Sequence, residues 1–238
     1  MSDLNNAELE KMLQQAFDAS TEIYKQRGFQ RRIGFGKRPA LISVDLANAW
    51  TRPGNPFTCD HMDDQIIPAM QRLLEACRAN GHPVIHVTTA YEITDRDSPF
   101  TDMGLWHCKI PIDVVNLADK DLWAIDSRIA PVSGEYTLLK KRASSFHGTP
   151  LAGILRAAGV DTILVTGVTA TACVRTTICD GLAEGFRTIA VREAIGDRVP
   201  GAVAWNLYDI DAKFADVHSV GDCIDYLNTA NTNRLAAE

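Results

Sequence analysis

The 238-residue sequence lacks the features that mark most membrane-bound, secreted and nucleic-acid-binding proteins. It contains no apolar run long enough to span a bilayer, and its first residues, MSDLNNAELEKML, are polar and acidic rather than signal-like. The net charge is −6 and the 24 basic residues are scattered rather than grouped in a stripe. This distribution argues against nucleic acid or an anionic membrane surface as a partner, and we expect a cytoplasmic location.

Cysteine patterns that would indicate disulfides or metal sites are also missing. The six cysteines form no C-x-x-C pair and are too sparse for a disulfide framework. Histidines and carboxylates show no spacing typical of a zinc site. The sequence therefore predicts free thiols in a reducing compartment, no metal and no other cofactor.

No internal repeat, low-complexity tract or linker divides the chain, so we expect one domain over residues 1–238. Short β-branched or apolar runs alternate with helical patterns. The predicted strands cover residues 40–46, 83–88, 135–139, 162–166, 188–192 and 215–219. This alternation predicts an α/β fold with three layers: a mostly parallel central sheet of about six strands with helices on both faces.

An amphipathic pattern over residues 6–27 predicts a further helix before the first strand. We assign residues 1–37 to a helical extension of the domain. The apolar stripe of this helix has to be covered, and its own domain or a neighbouring subunit could do so equally well.

The stretch from 162 to 187, TILVTGVTATACVRTTICDGLAEGFR, carries the strongest functional signal. A buried-strand pattern is followed by Gly167, several small residues, and Cys173 at the position where a helix should begin. A thiol placed there would lie at the amino end of a helix, where the dipole and the amide N–H groups favour a thiolate and can hold an oxyanion. The simpler alternative is a buried structural cysteine.

Two more chemically useful residues end predicted strands. Asp45 closes the first strand and Lys140 follows the third. Since ligands bind at the carboxyl ends of the strands in open parallel sheets, we expect both to converge with Cys173. Together they would supply a base, a cation and a nucleophile, with the backbone N–H groups of Thr169 and Cys173 as oxyanion donors. Taken singly, Asp45 could be a loop cap and Lys140 part of a solvated basic turn.

The segments ISVDLANAW, LLKKRASSFHGTPL and VTGVTATACVRTT resemble those of the isochorismatase-like superfamily of cysteine hydrolases, and the resemblance covers nearly the whole chain. It implies that Asp45, Lys140 and Cys173 form a catalytic triad. It also implies a cis peptide bond between Val168 and Thr169. Nicotinamidases of the superfamily bind a metal through an Asp-x-His pattern that the stretch HVTTAYEITD lacks, so the resemblance implies no metal here.

Other stretches, DLANAWTRPGNPF, DMGLW, IGDRVPG and WNLYDIDAKFADV, resemble the branch of that superfamily that hydrolyses N-carbamoylsarcosine in creatinine degradation. The resemblance implies a small anionic ureido or amide substrate and a homo-oligomer, plausibly a tetramer. Arg198 would bind the substrate carboxylate, Trp106 would wall the pocket, and Asn48 would orient Asp45. Without the resemblance, Arg198 reads as a loop arginine linked to Asp197.

Several alternatives stay open at this point. Hydrolysis of maleamate is a sister activity with the same triad and also an anionic substrate. Isochorismate hydrolysis needs no cysteine nucleophile, so Cys173 argues against it. A catalytically silent scaffold of the same fold would have no need for the three residues together.

Overall fold

The computed structural model describes residues 6–92, 102–111, 115–199 and 201–230. The strands form a single six-stranded sheet in the order β3-β2-β1-β4-β5-β6, and every neighbouring pair is parallel. The strands are β1 (Pro39–Val44), β2 (Val84–Thr89), β3 (Tyr136–Lys140), β4 (Thr162–Val168), β5 (Arg187–Gly196) and β6 (Asp216–His218). The predicted fold class is confirmed.

Helices cover both faces of this sheet, so the core has three layers. The helices are α1 (Asn6–Gln26), α2 (Asn48–Thr51), α3 (Ile67–Asn80), α4 (Lys120–Trp123), α5 (Leu151–Ala157), α6 (Arg175–Ala183), α7 (Ala202–Lys213) and α8 (Val220–Thr229). Successive strand residues point to opposite faces, so Leu41 packs in the cluster with α3 and α8, whereas Ile42 packs in the cluster with α5, α6 and α7. No helix in the described ranges has the length and apolar character needed to cross a membrane.

The N-terminal helix contacts its own chain. Phe17 of α1 stacks on Tyr208 of α7, with ring centroids 4.4 Å apart, and lies 5.9 Å from the ring of Trp205. Met12 and Ile23, on the same helix, are 56% and 53% exposed. Only part of the apolar stripe is thus covered by α7, and the assignment of residues 1–37 to an extension of one domain stays a prediction.

Strand β4 is longer than its sequence pattern predicts, because Gly167 lies inside the strand instead of ending it. The pairing of β4 with β5 shifts register between Val165 and Gly167, which is typical of a bulge. At Gly167 the backbone φ is +104°, and a Cβ atom there would lie 1.9 Å from the carbonyl oxygen of Val44. Close approach of β4 to β1 therefore requires glycine at this position.

We expect Gly167→Ala to lower the free energy of unfolding by about 2 to 5 kcal/mol, since the added methyl group combines backbone strain with a clash against β1. Urea unfolding monitored by circular dichroism measures this. Gly185→Ala is the matched control, because Gly185 also has a positive φ, +89°, but has open space where a Cβ atom would lie. The control is expected to cost about 1 to 2 kcal/mol, and equal losses in the two variants would contradict the close approach.

Candidate active site

The strand order predicts a ligand crevice at the centre of the sheet. Strands β1 and β4 are neighbours, but α3 and α6, which follow them in the chain, pack on opposite faces. Open parallel sheets bind ligands where the connections diverge in this way, at the carboxyl ends of the strands. Asp45 directly follows β1 and Cys173 lies in the turn after β4, so both residues are at this crevice.

The three residues expected to form the reacting centre are brought together. Lys140 is the last residue of β3, and its Nζ lies 2.9 Å from Oδ2 of Asp45 and 3.4 Å from Sγ of Cys173. The side chains of Lys140 and Asp45 are completely buried, and Cys173 is buried as well. Asp45 adopts a φ of +52°, a left-handed conformation that aspartate tolerates better than most residues.

Thr89 is a member of this cluster that the sequence analysis missed. Its Oγ1 accepts a hydrogen bond from Lys140 Nζ at 2.6 Å and donates one to Asp45 Oδ1 at 2.8 Å. Thr89 is the last residue of β2 and pairs in register with Lys140. The predicted strand stops at residue 88, one residue short. Strand β2 lies between β1 and β3, so the residue at its carboxyl end has to lie between Asp45 and Lys140. Extending the predicted strand by one residue would have identified Thr89.

Burial and the neighbouring charges set the protonation of the centre. Burial alone would lower the pKa of Lys140, but Asp45 and Cys173 outweigh it and raise that pKa, so the ammonium keeps its charge. Burial raises the pKa of the Cys173 thiol to about 12; Lys140 acts against this rise and Asp45 adds to it. Desolvation of the sulfur therefore opposes the thiolate that its position at the start of a helix favours.

The turn that carries Cys173 has an irregular backbone. The peptide bond between Val168 and Thr169 is cis, as the resemblance implies. Ala170–Val174 then forms a single π-helical turn that continues into α6. The carbonyl oxygen of Thr169 accepts hydrogen bonds from the amides of Ala172 and Val174, each at 3.1 Å. Cys173 is thus placed at the beginning of a helical segment, as its position in the sequence predicts.

Asp197 ties this turn to the loop after β5. Its buried carboxylate accepts from the amide of Thr171 at 3.0 Å, from the hydroxyl of Thr171 at 2.8 Å and from the amide of Arg198 at 2.8 Å. The pairing expected between Asp197 and Arg198 therefore involves the backbone of the arginine. Its guanidinium points elsewhere.

The guanidinium of Arg198 is held against Phe57. Its Nη2 donates to the carbonyl oxygen of Phe57 at 3.0 Å, and its Cζ lies 5.8 Å from the centre of the Phe57 ring. The Nε atom is buried, with no hydrogen-bond partner among the residues that the structure describes. Over the same residues, no hydrogen bond or ion pair joins Arg198 to Asp45, Lys140 or Cys173.

Trp106 and Asn48 differ in how they relate to the centre. Trp106 lies in the short 3₁₀ helix Gly104–Cys108, is half-buried, and packs against the apolar cluster that contains Cys173. Asn48 begins α2, and its Nδ2 donates to the carbonyl oxygen of Asp121 at 2.8 Å. Thr89, and not Asn48, donates the hydrogen bond that holds Asp45, whereas the amide of Asn48 is bound to the chain around α4.

This arrangement suits attack on a carbonyl group by sulfur. A carboxylate beside the thiol can take its proton as the new bond forms, and a fixed ammonium can stabilise the negative charge that appears. Within the described ranges, no three His, Cys, Asp or Glu side chains are grouped in a way that could hold a metal ion. A thiol beside a carboxylate and an ammonium is a set of residues suited to covalent acyl transfer.

Comparison with known proteins gives consistent matches. The family model described as the isochorismatase domain matches residues 39–222. The N-carbamoylsarcosine amidase of an Arthrobacter species is 53% identical over 223 residues, which are 93% of this chain and 83% of that protein. The maleamate amidohydrolase of Pseudomonas putida is 36% identical over 200 residues, 83% of this chain and 90% of that one. The crystal structure of N-carbamoylsarcosine amidase from Thermoplasma acidophilum superimposes with a TM-score of 0.61 at 26% identity, covering 77% of this chain and 96% of the other.

Proposed function

The chain belongs to the isochorismatase family of hydrolases, and from this premise we propose that it hydrolyses N-carbamoylsarcosine to sarcosine, carbon dioxide and ammonia. The observation that carries the proposal is the contact of Lys140 with both Asp45 and Cys173 at the carboxyl ends of three strands. The identity of 53% to an N-carbamoylsarcosine amidase supports the choice of substrate.

The first half of the reaction forms a covalent intermediate. Sγ of Cys173 attacks the ureido carbonyl carbon while the carboxylate of Asp45 takes the thiol proton. Burial raises the pKa of the Cys173 thiol, which favours removal of its proton by Asp45 as the sulfur–carbon bond forms. Asp45 then gives the proton to the departing nitrogen, the carbon–nitrogen bond breaks, and ammonia leaves a carbamoyl group on the sulfur.

The second half releases the acid product. A water molecule attacks the carbamoyl carbon, Asp45 takes one of its protons, and the sulfur–carbon bond breaks. The proton returns to the sulfur, and the free carbamate decays to sarcosine and carbon dioxide. Lys140 stays charged throughout and stabilises the carboxylate of Asp45 and the partial negative charge on the sulfur.

The oxyanion formed in each half needs hydrogen-bond donors. We assign this task to the backbone N–H groups of Thr169 and Cys173 in the turn after β4. In this turn the amides of Ala172 and Val174 already donate to the carbonyl oxygen of Thr169. Loss of one such donor typically slows a reaction by about a hundredfold or more, so the shape of this turn matters as much as the side chains.

Arg198 and Trp106 would select the substrate. The substrate carries a carboxylate at neutral pH, and Arg198 offers a buried Nε that has no partner among the described residues. Trp106 packs against the cluster that includes Cys173, which is a suitable position for a wall beside the N-methyl group. Both assignments are part of the proposal.

The specific substrate is tested by measuring ammonia release from N-carbamoylsarcosine and from maleamate with the same protein. We expect the higher kcat/KM for N-carbamoylsarcosine. A much higher value for maleamate would overturn the substrate assignment and leave the amidohydrolase mechanism in place. Maleamate is the second candidate because the maleamate amidohydrolase of Pseudomonas putida is 36% identical over most of both chains.

We extend the proposal to the cellular setting. All six cysteines are free, which suits the reducing cytoplasm. The exposed Met12 and Ile23 of α1 offer apolar surface to a second copy of the chain, which supports a homo-oligomer, and we propose a tetramer. A place in creatinine degradation follows if N-carbamoylsarcosine is the substrate.

A further inference from the structure

We propose that Thr89 is a positioning residue that gives the two carboxylate oxygens of Asp45 different tasks. It holds Oδ1 in place and leaves Oδ2 as the atom that exchanges a proton with Cys173. The inference rests on the proposed function, in which Cys173 attacks and Asp45 carries its proton. It adds a fourth residue to the centre and identifies the atom through which the proton moves.

The direction of the hydrogen bonds around Thr89 follows from what each group can donate. A lysine ammonium only donates, so the 2.6 Å contact between Lys140 Nζ and Thr89 Oγ1 uses a lone pair of the hydroxyl. The hydroxyl has a single proton, and the ionised carboxylate of Asp45 can only accept. The 2.8 Å contact to Oδ1 must therefore hold that proton. Because Thr89 is buried, water does not compete for either bond.

The other oxygen of Asp45 remains able to accept a proton. Oδ2 lies 2.9 Å from Lys140 Nζ, yet within the described part of the chain it accepts no well-aligned hydrogen bond. A carboxylate oxygen has two lone pairs, so Oδ2 can face the ammonium with one and receive the thiol proton with the other. The hydrogen bond from Thr89 occupies one lone pair of Oδ1 and fixes the orientation of the carboxylate. The hydroxyl of Thr89 thus makes Oδ2 the favoured oxygen for the transfer.

Loss of the hydroxyl should therefore change proton transfer as well as packing. Without it, Oδ1 becomes a second acceptor, the carboxylate of Asp45 loses a hydrogen bond that favours its ionised form, and Lys140 loses one of its partners. We expect kcat/KM to fall and the acid limb of its pH profile to move to higher pH. If Thr89 only filled space, loss of its hydroxyl would not move the acid limb. Serine, which restores the hydroxyl but not the methyl group, would then not restore the activity.

The experiment compares Thr89→Val, Thr89→Ser and Thr188→Val with the unsubstituted protein. Thr188→Val is the matched control, since it removes a buried hydroxyl that donates to the carbonyl oxygen of Phe214 at 2.7 Å, at the amino end of β5. Two rates are measured as a function of pH: ammonia release from N-carbamoylsarcosine, and alkylation of Cys173 by iodoacetamide. The second needs no substrate and reports directly on removal of the thiol proton.

We expect Thr89→Val to lower kcat/KM about 10- to 100-fold and to move the acid limb of both rates upward by about one pH unit. Thr89→Ser should recover both rates to within a few-fold, and Thr188→Val should leave both unchanged. An alkylation profile of Thr89→Val that superimposes on that of the unsubstituted protein would overturn the proposal. So would a Thr89→Ser protein no better than Thr89→Val.

Two further results have to be interpreted: a Thr89→Val protein that does not fold, and an unsubstituted protein that releases no ammonia. If circular dichroism shows that Thr89→Val does not fold, Thr89→Ala removes the same hydroxyl without crowding and is expected to give the same shifts. If the unsubstituted protein releases no ammonia from N-carbamoylsarcosine, the proposed function fails. The alkylation profiles still support or overturn the role of Thr89 in that case.

Discussion

Replacement of Cys173 by alanine is expected to slow ammonia release by about 10⁴-fold or more, because it removes the sulfur that attacks the carbonyl carbon. The folded state should survive, since the change removes one sulfur atom from a buried site. Ammonia release in a coupled assay measures the first effect, and circular dichroism checks the second.

Cys179→Ala is the control for this experiment. Cys179 lies further along α6, is half-buried, and has no contact with Asp45 or Lys140 among the described residues. It should keep full activity. Undiminished ammonia release by Cys173→Ala would remove the nucleophile from the mechanism and with it the proposed function.

Asp45→Asn is expected to lower kcat by about 10²- to 10⁴-fold, since the amide cannot accept the thiol proton. The same change leaves the fully buried ammonium of Lys140 without its countercharge. The free energy of unfolding should therefore fall by about 3 to 5 kcal/mol. Ammonia release and urea unfolding measure the two effects on one preparation.

The double variant Asp45→Asn, Lys140→Met separates the two effects. It removes both charges, so most of the lost stability should return while the activity stays lost. If the double variant is less stable than Asp45→Asn alone, the buried charge pair is not the reason for the loss. If Asp45→Asn keeps normal activity, another group takes the proton from the thiol.

The sequence could predict which reactive residues follow the apolar strand patterns. Asp45, Lys140 and Cys173 could be placed together because each follows an apolar run, and the carboxyl ends of parallel strands meet at one edge. Thr89 was not identified, because a pattern of apolar residues does not locate the last residue of a strand. Gly167 shows the same limit, since a glycine that keeps two backbones in contact looks in the sequence like the end of a strand.

Electrostatics and long-range partners were less predictable. The position of Cys173 at the start of a helix suggested a thiolate, but burial dominates, and burial depends on how distant segments pack. Asn48 is close to Asp45 in the chain, yet its amide binds Asp121. Arg198 was expected to bind a substrate carboxylate, and nothing in the sequence indicated that its guanidinium would lie against Phe57. Asp121 lies in the short helix α4 and Phe57 in a loop, and only the folded chain brings either of them to its partner.

The order β3-β2-β1 puts Lys140 two strands away from Asp45. Neighbouring strands lie about 4.8 Å apart, so the long side chain of lysine has to cross the tip of β2 to reach the carboxylate. Backbone hydrogen bonds between the strands therefore fix the spacing of the carboxylate and the ammonium, whereas Trp106 and Arg198 lie in segments outside the sheet. Changes in those segments should leave this spacing intact, but changes around Arg198 can reach the sulfur, because Asp197 joins its loop to the turn that carries Cys173.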